Sequence, residues 1–254
     1  MYTIVLQGLN HFTGVSSLAA AMTYSLSLQG LKTVCIDADN SRNSVSSSLL
    51  FGLERQDYGF LNALKDNSFN KDNNNLLFKY SENAYFIPFG NSVELIQTPD
   101  YCIYTANSLI KTLDAFKAID FVVIDAGNRE SQFAKALASI STMTVTVIEA
   151  EQNSLVRLNS IEVQDNEYFL VNKIVASSKI MNDVFMLMKK SKVGNCILNS
   201  AIEFDESVID ANMHQEPFSR FLPISASTNA LERVLFDIIL ICKNVGAENN
   251  VKKG

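Results

Sequence analysis

This 254-residue sequence predicts an α/β fold: a doubly wound, mostly parallel sheet with helices on both faces. Three observations carry that expectation. Short runs are rich in Val and Ile and often apolar throughout, as in strands buried on both sides. Helical patterns alternate with these runs, so the connections read as right-handed crossovers. The chain also opens with strand, glycine-bounded turn and apolar helix in immediate succession, the arrangement that places a phosphate at a helix N-terminus.

The elements follow in order. Ile4, Val5 and Leu6 begin a strand over 4–7, residues 8–14 form the turn, and a helix over 16–29 stops at Gly30. Strands are predicted at 33–36, 84–88, 121–125, 144–148 and 168–172, with a further one at 196–198. Helices are predicted at 105–117, 132–139, 152–163, 179–190, 205–212 and 229–243. The stretch 40–83 is the least regular. Its serine-rich part (41–48) and its Asn/Asp/Lys-rich part (66–75) read as surface loops around a short helix at 60–64. Residues 1–246 read as a single domain, and 247–254 as a polar tail.

Composition narrows the class. An apolar fraction of 47% with 19% charged residues describes a globular chain. The net charge of −6 argues against nucleic acid, which needs a basic face. The sequence has no secretory signal pattern and no apolar run long enough to span a bilayer. Cys35, Cys102, Cys196 and Cys242 are far apart with no C-x-x-C pair, so they read as free thiols of a cytosolic protein.

Four groups of residues could carry chemistry. The first is the turn. Aligned on Gly14, the G-x-x-x-x-G-K-[ST] phosphate loop would place its lysine at Val15 and its Mg²⁺-binding hydroxyl at Ser16. Gly8, Gly14, Ser16 and Ser17 keep the cradle geometry, and His11 could restore some positive charge. His11 and Phe12 replace glycines, so a positive φ there would be strained. The second is Asp37-Ala38-Asp39 at the carboxyl end of the second strand, where carboxylates could order Mg²⁺ or an attacking water. The third is Asp125, which ends the apolar strand 121–125 as a second Mg²⁺-organising carboxylate would. The fourth is Asn172-Lys173 at the end of a strand, where the Asn172 amide could meet an adenine edge. Each has a bland reading beside it: helix caps for the serines, turn residues for Asp39 and Asn172, a surface imidazole for His11.

The stretches 8–17 (GLNHFTGVSS), 34–39 (VCIDAD), 86–90 (FIPFG), 121–125 (FVVID) and 170–172 (LVN), with the segment from Phe204 to Cys242, resemble the MinD/ParA class of deviant P-loop ATPases. Within that class the chain is most similar to the BcsQ (YhjQ) family of cellulose biosynthesis proteins. The resemblance implies a cytoplasmic regulatory component of cellulose secretion, held at the inner membrane through partners. It also implies ATP and Mg²⁺ as cofactors, a nucleotide-sandwich homodimer, and a small BcsR-like protein and other secretion subunits as partners. It implies Asp39 as the catalytic position, Ser16, Asp37 and Asp125 around the metal, and Gly8, Asn10, His11, Gly14, Val15, Ser16, Ser17 and Asn172 around the nucleotide. In the class, a lysine at the position of Asn10 reaches across the dimer. With Asn10 and Val15 in the lysine positions, three functions stay open: a nucleotide-binding scaffold with little or no hydrolysis, an active positioning or partition ATPase, and a nucleotide-free interaction module with Phe12 filling the phosphate site.

Overall fold

The computed structural model describes residues 1–40, 47, 49–53, 58–68, 76–116 and 118–251, the side chains of 246–251 excepted. Most of the 41–48 and 66–75 loops, and Lys117, therefore lie outside the described residues. Seven strands form one sheet: β1 (Tyr2–Gly8), β2 (Thr33–Asp37), β3 (Phe78–Lys79), β4 (Ala84–Ile87), β5 (Phe121–Asn128), β6 (Met143–Glu149) and β7 (Glu167–Asn172). Their order is β3-β4-β2-β5-β1-β6-β7, and every pairing is parallel except the short antiparallel β3–β4 edge. The chain leaves β1 towards β2 on one side and later returns to β6 on the other. The carboxyl ends of β1 and β5 are thus the switch point, where an open α/β sheet offers its crevice.

The strands are largely apolar because both faces are covered. Ile4 and Leu6 of β1 join Phe121, Val123, Val145 and Val147 under α1 (Val15–Leu28) and α9 (Ala226–Val251). Val5 points the other way and joins Val34, Ile36, Val122 and Ile124 beneath α3 (Pro99–Ala115) and α4 (Gln132–Ile140). A third cluster, around Ile148, Phe169 and Val171, is covered by α5 (Gln152–Ser160) and α6 (Lys179–Lys189). α1 runs through the first cluster with Leu18, Ala19, Ala20, Ala21, Met22 and Leu26 all buried, and the small polar Thr23, Ser25 and Ser27 buried with them.

The remaining helices are α2 (Phe60–Lys65), α7 (Ser207–Met213) and α8 (Phe218–Phe221). α3 begins six residues before the predicted 105, at Pro99 behind the Thr98 cap. Its first turns expose Tyr101, Ile103 and Tyr104, which erases the inward apolar period there. α9 runs through Val251, past the expected stop at 243. The strand predicted at 196–198 does not form. Ile197 makes a single parallel bridge to Phe169, and Lys189 Nζ takes the carbonyls of Ile197 and Leu198 at 2.8 and 3.0 Å, which a ladder would need. Cys35, Cys102 and Cys242 are buried and all four cysteines are free thiols.

Candidate functional site

The turn after β1 is a cradle built by close packing. A Cβ at Gly8 would lie 2.6 Å from Thr13 Oγ1 and 2.7 Å from the Asn10 carbonyl, so no larger residue fits. Gly14 adopts φ 92° and a Cβ there would meet Asn172 Nδ2 at 2.6 Å. α1 starts directly after Gly14, with no side-chain cap and a first internal bond from Leu18 N to the Gly14 carbonyl. The amides of Val15, Ser16 and Ser17 precede that bond and form the positive end of the helix. Phe12 holds φ 61°, the left-handed strain expected where a glycine was replaced, at a cost of about 1–2 kcal/mol. Its ring is 83% exposed, outside the cradle.

Each of the two lysine positions is occupied by a residue turned to another task. Val15 is buried in the α1 core cluster. Asn10 is tied back into its own chain. Its Nδ2 donates to Glu151 Oε1 and Ser154 Oγ, each at 3.2 Å, and its Oδ1 accepts from Arg157 Nη1 at 2.7 Å. Arg157 also donates to the Leu9 carbonyl and pairs with Glu130 at 3.3 Å. His11 is exposed, with Nε2 3.4 Å from Asn128 Nδ2. Ser17 Oγ donates to Asn212 Oδ1 of α7 at 3.2 Å.

The carboxylates come together through strand register. Asp37, the last residue of β2, is the Cα partner of Asp125 within the adjacent parallel strand β5. Both are buried. Asp37 Oδ1 accepts the Asp39 amide at 3.2 Å, and Asp125 Oδ1 accepts the Gly127 amide at 3.3 Å. Asp125 Oδ2 is buried with no hydrogen-bond partner. Burial, and then the neighbouring carboxylates of Asp37 and Asp39, push the Asp125 carboxyl up to about 7, against a partial opposing effect of the Ser16 hydroxyl and the Gly127 amide. Gly127 (φ 64°) packs against Asp39: a Cβ there would lie 2.3 Å from Asp39 Oδ1. An orphaned buried carboxylate oxygen beside a second carboxylate and a serine hydroxyl suits a divalent cation completed by phosphate oxygens.

The loop and Asp39 line one cavity of about 750 Å³, with Ile202, Phe204, Val208, Ile209 and Phe218 on its far side; Asp37 and Asp125 are buried and are not part of its lining. Phe204 is held there by its amide, which donates to the Ile174 carbonyl at 2.9 Å. Asp205 on the rim would be raised by burial, but hydrogen bonds from Ser207 and Ser227 outweigh that and lower it to about 2. Asn172 lies under the loop, its Nδ2 donating to the Thr13 carbonyl at 2.7 Å, so its amide nitrogen supports the cradle.

Sequence reasoning gave no role to three supporting residues, one of which, Lys173, it had named beside Asn172. Arg129 forms a two-pronged pair with Glu167 at 2.9 and 3.0 Å that anchors the end of β5, and Thr146 adds a 2.6 Å bond. Arg157 gave no signal at all, because its partners are a loop carbonyl and an amide distant in sequence. Lys173 could have been given a role, since it directly follows Asn172 at a strand end; its Nζ reaches the Phe12 carbonyl and pairs with Glu149 at 2.7 Å.

Comparison with known proteins bears on the family and the fold. The family model described as cellulose biosynthesis protein BcsQ matches residues 1–236. Cellulose biosynthesis protein BcsQ of Escherichia coli (strain K12) is 22% identical over 225 residues, covering 87% of each chain. Among solved structures, the MinD cell division protein of Aquifex aeolicus superposes with a TM-score of 0.72 at 17% identity, covering 94% of this chain and 97% of that one. A ParA family ATPase from Chlorobium tepidum gives 0.75 at 15% identity over 92% and 98%. The fold is therefore that of the MinD/ParA proteins, and the chain belongs to the BcsQ family of cellulose biosynthesis proteins.

Proposed function

We propose that this protein is a regulatory component of bacterial cellulose synthesis and secretion that binds ATP with Mg²⁺ as a switch and hydrolyses it slowly or not at all. The observation that carries the reading is Asp125. A buried carboxylate oxygen without a partner, next to Asp37 and below a helix N-terminus, is costly unless a cation and an anion arrive together. Ser16, Asp37 and Asp125 would hold Mg²⁺, which when bound would neutralise phosphate charge and orient it. The amides of 15–17 would receive the phosphates, and the apolar wall at Ile202, Phe204 and Phe218 would take the base beside Asn172. The Mg-ADP complex of the MinD protein from Pyrococcus horikoshii, of the same fold, is in keeping with such a ligand.

Slow turnover follows from the cation positions. Val15 and Asn10 supply no charge to a developing phosphoryl group, and such contacts are among the larger contributions to phosphoryl transfer. The retained Asp39 favours a second reading, an active positioning or partition ATPase. The nucleotide-free reading requires the Phe12 ring in the cradle, whereas that ring faces solvent. In the regulatory reading the working form is a homodimer closing over nucleotide, with a small BcsR-like partner and membrane contact through other subunits. No helix among the described residues is long and apolar enough to cross a membrane.

Phosphate release from MgATP, measured alongside a thermal shift, separates these readings. The regulatory reading predicts a clear upward shift with release indistinguishable from that of Asp39→Ala. Release well above that variant would establish the ATPase reading instead, and no shift at millimolar nucleotide would leave the interaction module.

A further inference from the structure

We propose that Lys173 is the cation of the phosphate site in this chain, supplied from the end of β7 in place of the lysine absent at Val15. Among the described residues lining the cavity, Lys173 is the single lysine or arginine. Its backbone adopts φ 57°, a left-handed conformation that a lysine does not take without cost. That turn sends the side chain back across the loop: Cε lies 3.8 Å from where a Gly14 Cβ would be, and Nζ donates to the Phe12 carbonyl. Two of the four described non-glycine residues with positive φ, Phe12 and Lys173, therefore meet at this point. Strain concentrated in this way is characteristic of functional sites.

The alternative is a surface ion pair with Glu149, at 2.7 Å. Such a pair explains one of the three ammonium hydrogens. It does not explain why the side chain crosses the loop, nor why its nitrogen is placed on a loop carbonyl. With Glu149 and Phe12 as two acceptors, the third hydrogen remains for an anion entering the 37%-exposed side of the lysine. A lysine acts on phosphate as a point charge, so it can approach from a second strand without the fixed geometry an arginine would need.

This inference rests on the nucleotide reading above. Its test is titration of wild type, Lys173→Met and Lys173→Arg with MgATP over a range of NaCl concentrations, with the double variant Lys173→Met/Glu149→Gln as the form in which no carboxylate is left unpaired. A phosphate contact predicts binding weakened about tenfold or more in both methionine forms. It also predicts a flatter dependence of log Kd on log salt, and recovery of most affinity with arginine. Unchanged affinity, or weaker binding with an unchanged salt slope, would mean that Lys173 only shapes the loop and would overturn the inference. Absence of binding by the wild type would remove the nucleotide reading itself, a result distinct from either.

Discussion

The two halves of the candidate site have diverged to different degrees. On β2 and β5, Asp37 and Asp125 are register partners, with Asp39 and the Ser16 hydroxyl close enough to act on Asp125, whose carboxyl is raised chiefly by burial. At the loop after β1, the cradle backbone is kept by Gly8 and Gly14, but the side chains around it have changed: Val15 is in the core, Asn10 is bound to Glu151, Ser154 and Arg157, and Phe12 holds a glycine's conformation. The difference separates binding from turnover. Buried carboxylates that destabilise the empty protein are hard to rationalise without a cation. In the proposed reading, the lysines missing at positions 10 and 15 cost transition-state stabilisation first and ground-state binding through backbone amides second, with Lys173 the cation that remains.

The largest expected effect lies in the acidic half. In the fold Asp125 stays protonated up to about pH 7, while in the unfolded chain it ionises near 3.8. The folded state therefore holds the extra proton between those values. Stability from this group is present at the acid end and is lost as pH rises through the window, with no further loss above about 7. Asp125→Asn should remove that dependence. Urea unfolding of the two proteins from about pH 4 to pH 8 should show the variant gaining steadily on wild type as pH rises. Mg²⁺ with ATP should recover much of the difference for wild type only. A constant difference across pH would break the contrast between the halves.

Next is the cradle. Gly14→Ala adds left-handed strain and a Cβ 2.6 Å from Asn172 Nδ2, the atom that holds the Thr13 carbonyl. Thermal and urea denaturation should register a loss of about 2 kcal/mol or more, with nucleotide binding abolished. The smallest effect should have the opposite sign. Phe12→Gly relieves strain at φ 61° and gives up little packing, because the ring is exposed. Its melting temperature should rise by a degree or a few, reflecting about 1 kcal/mol or less after the added chain entropy of glycine. A destabilised Phe12→Gly would mean that the ring has a role at the loop tip.

Much of this was legible in the sequence where the signal was local and apolar. β1, β2, β5, β6 and β7 were visible because both faces of each are buried, which leaves runs rich in Val, Ile, Leu and Phe with only a few small polar residues such as Thr144 and Thr146. The register that sets Asp37 beside Asp125 could be anticipated from strand ends alone, since both residues close such runs. The antiparallel β3 was missed because two residues, one of them exposed, carry no period. The strand expected at 196–198 failed for a reason outside its own composition, the capture of its carbonyls by Lys189. Likewise, the roles of Asn10 and Lys173 depend on which distant atoms they reach, Arg157 and Glu151 for one and the Phe12 carbonyl for the other. Spacing along the chain does not encode such contacts.

The most direct measurement is calorimetric titration of the purified wild-type protein with ATP, with and without Mg²⁺. Saturable heat that appears with Mg²⁺, falls sharply with EDTA and is lost in Asp125→Asn is the predicted result. No heat at millimolar nucleotide, or binding indifferent to both Mg²⁺ and Asp125, would contradict the assignment of this crevice as a metal-dependent nucleotide switch.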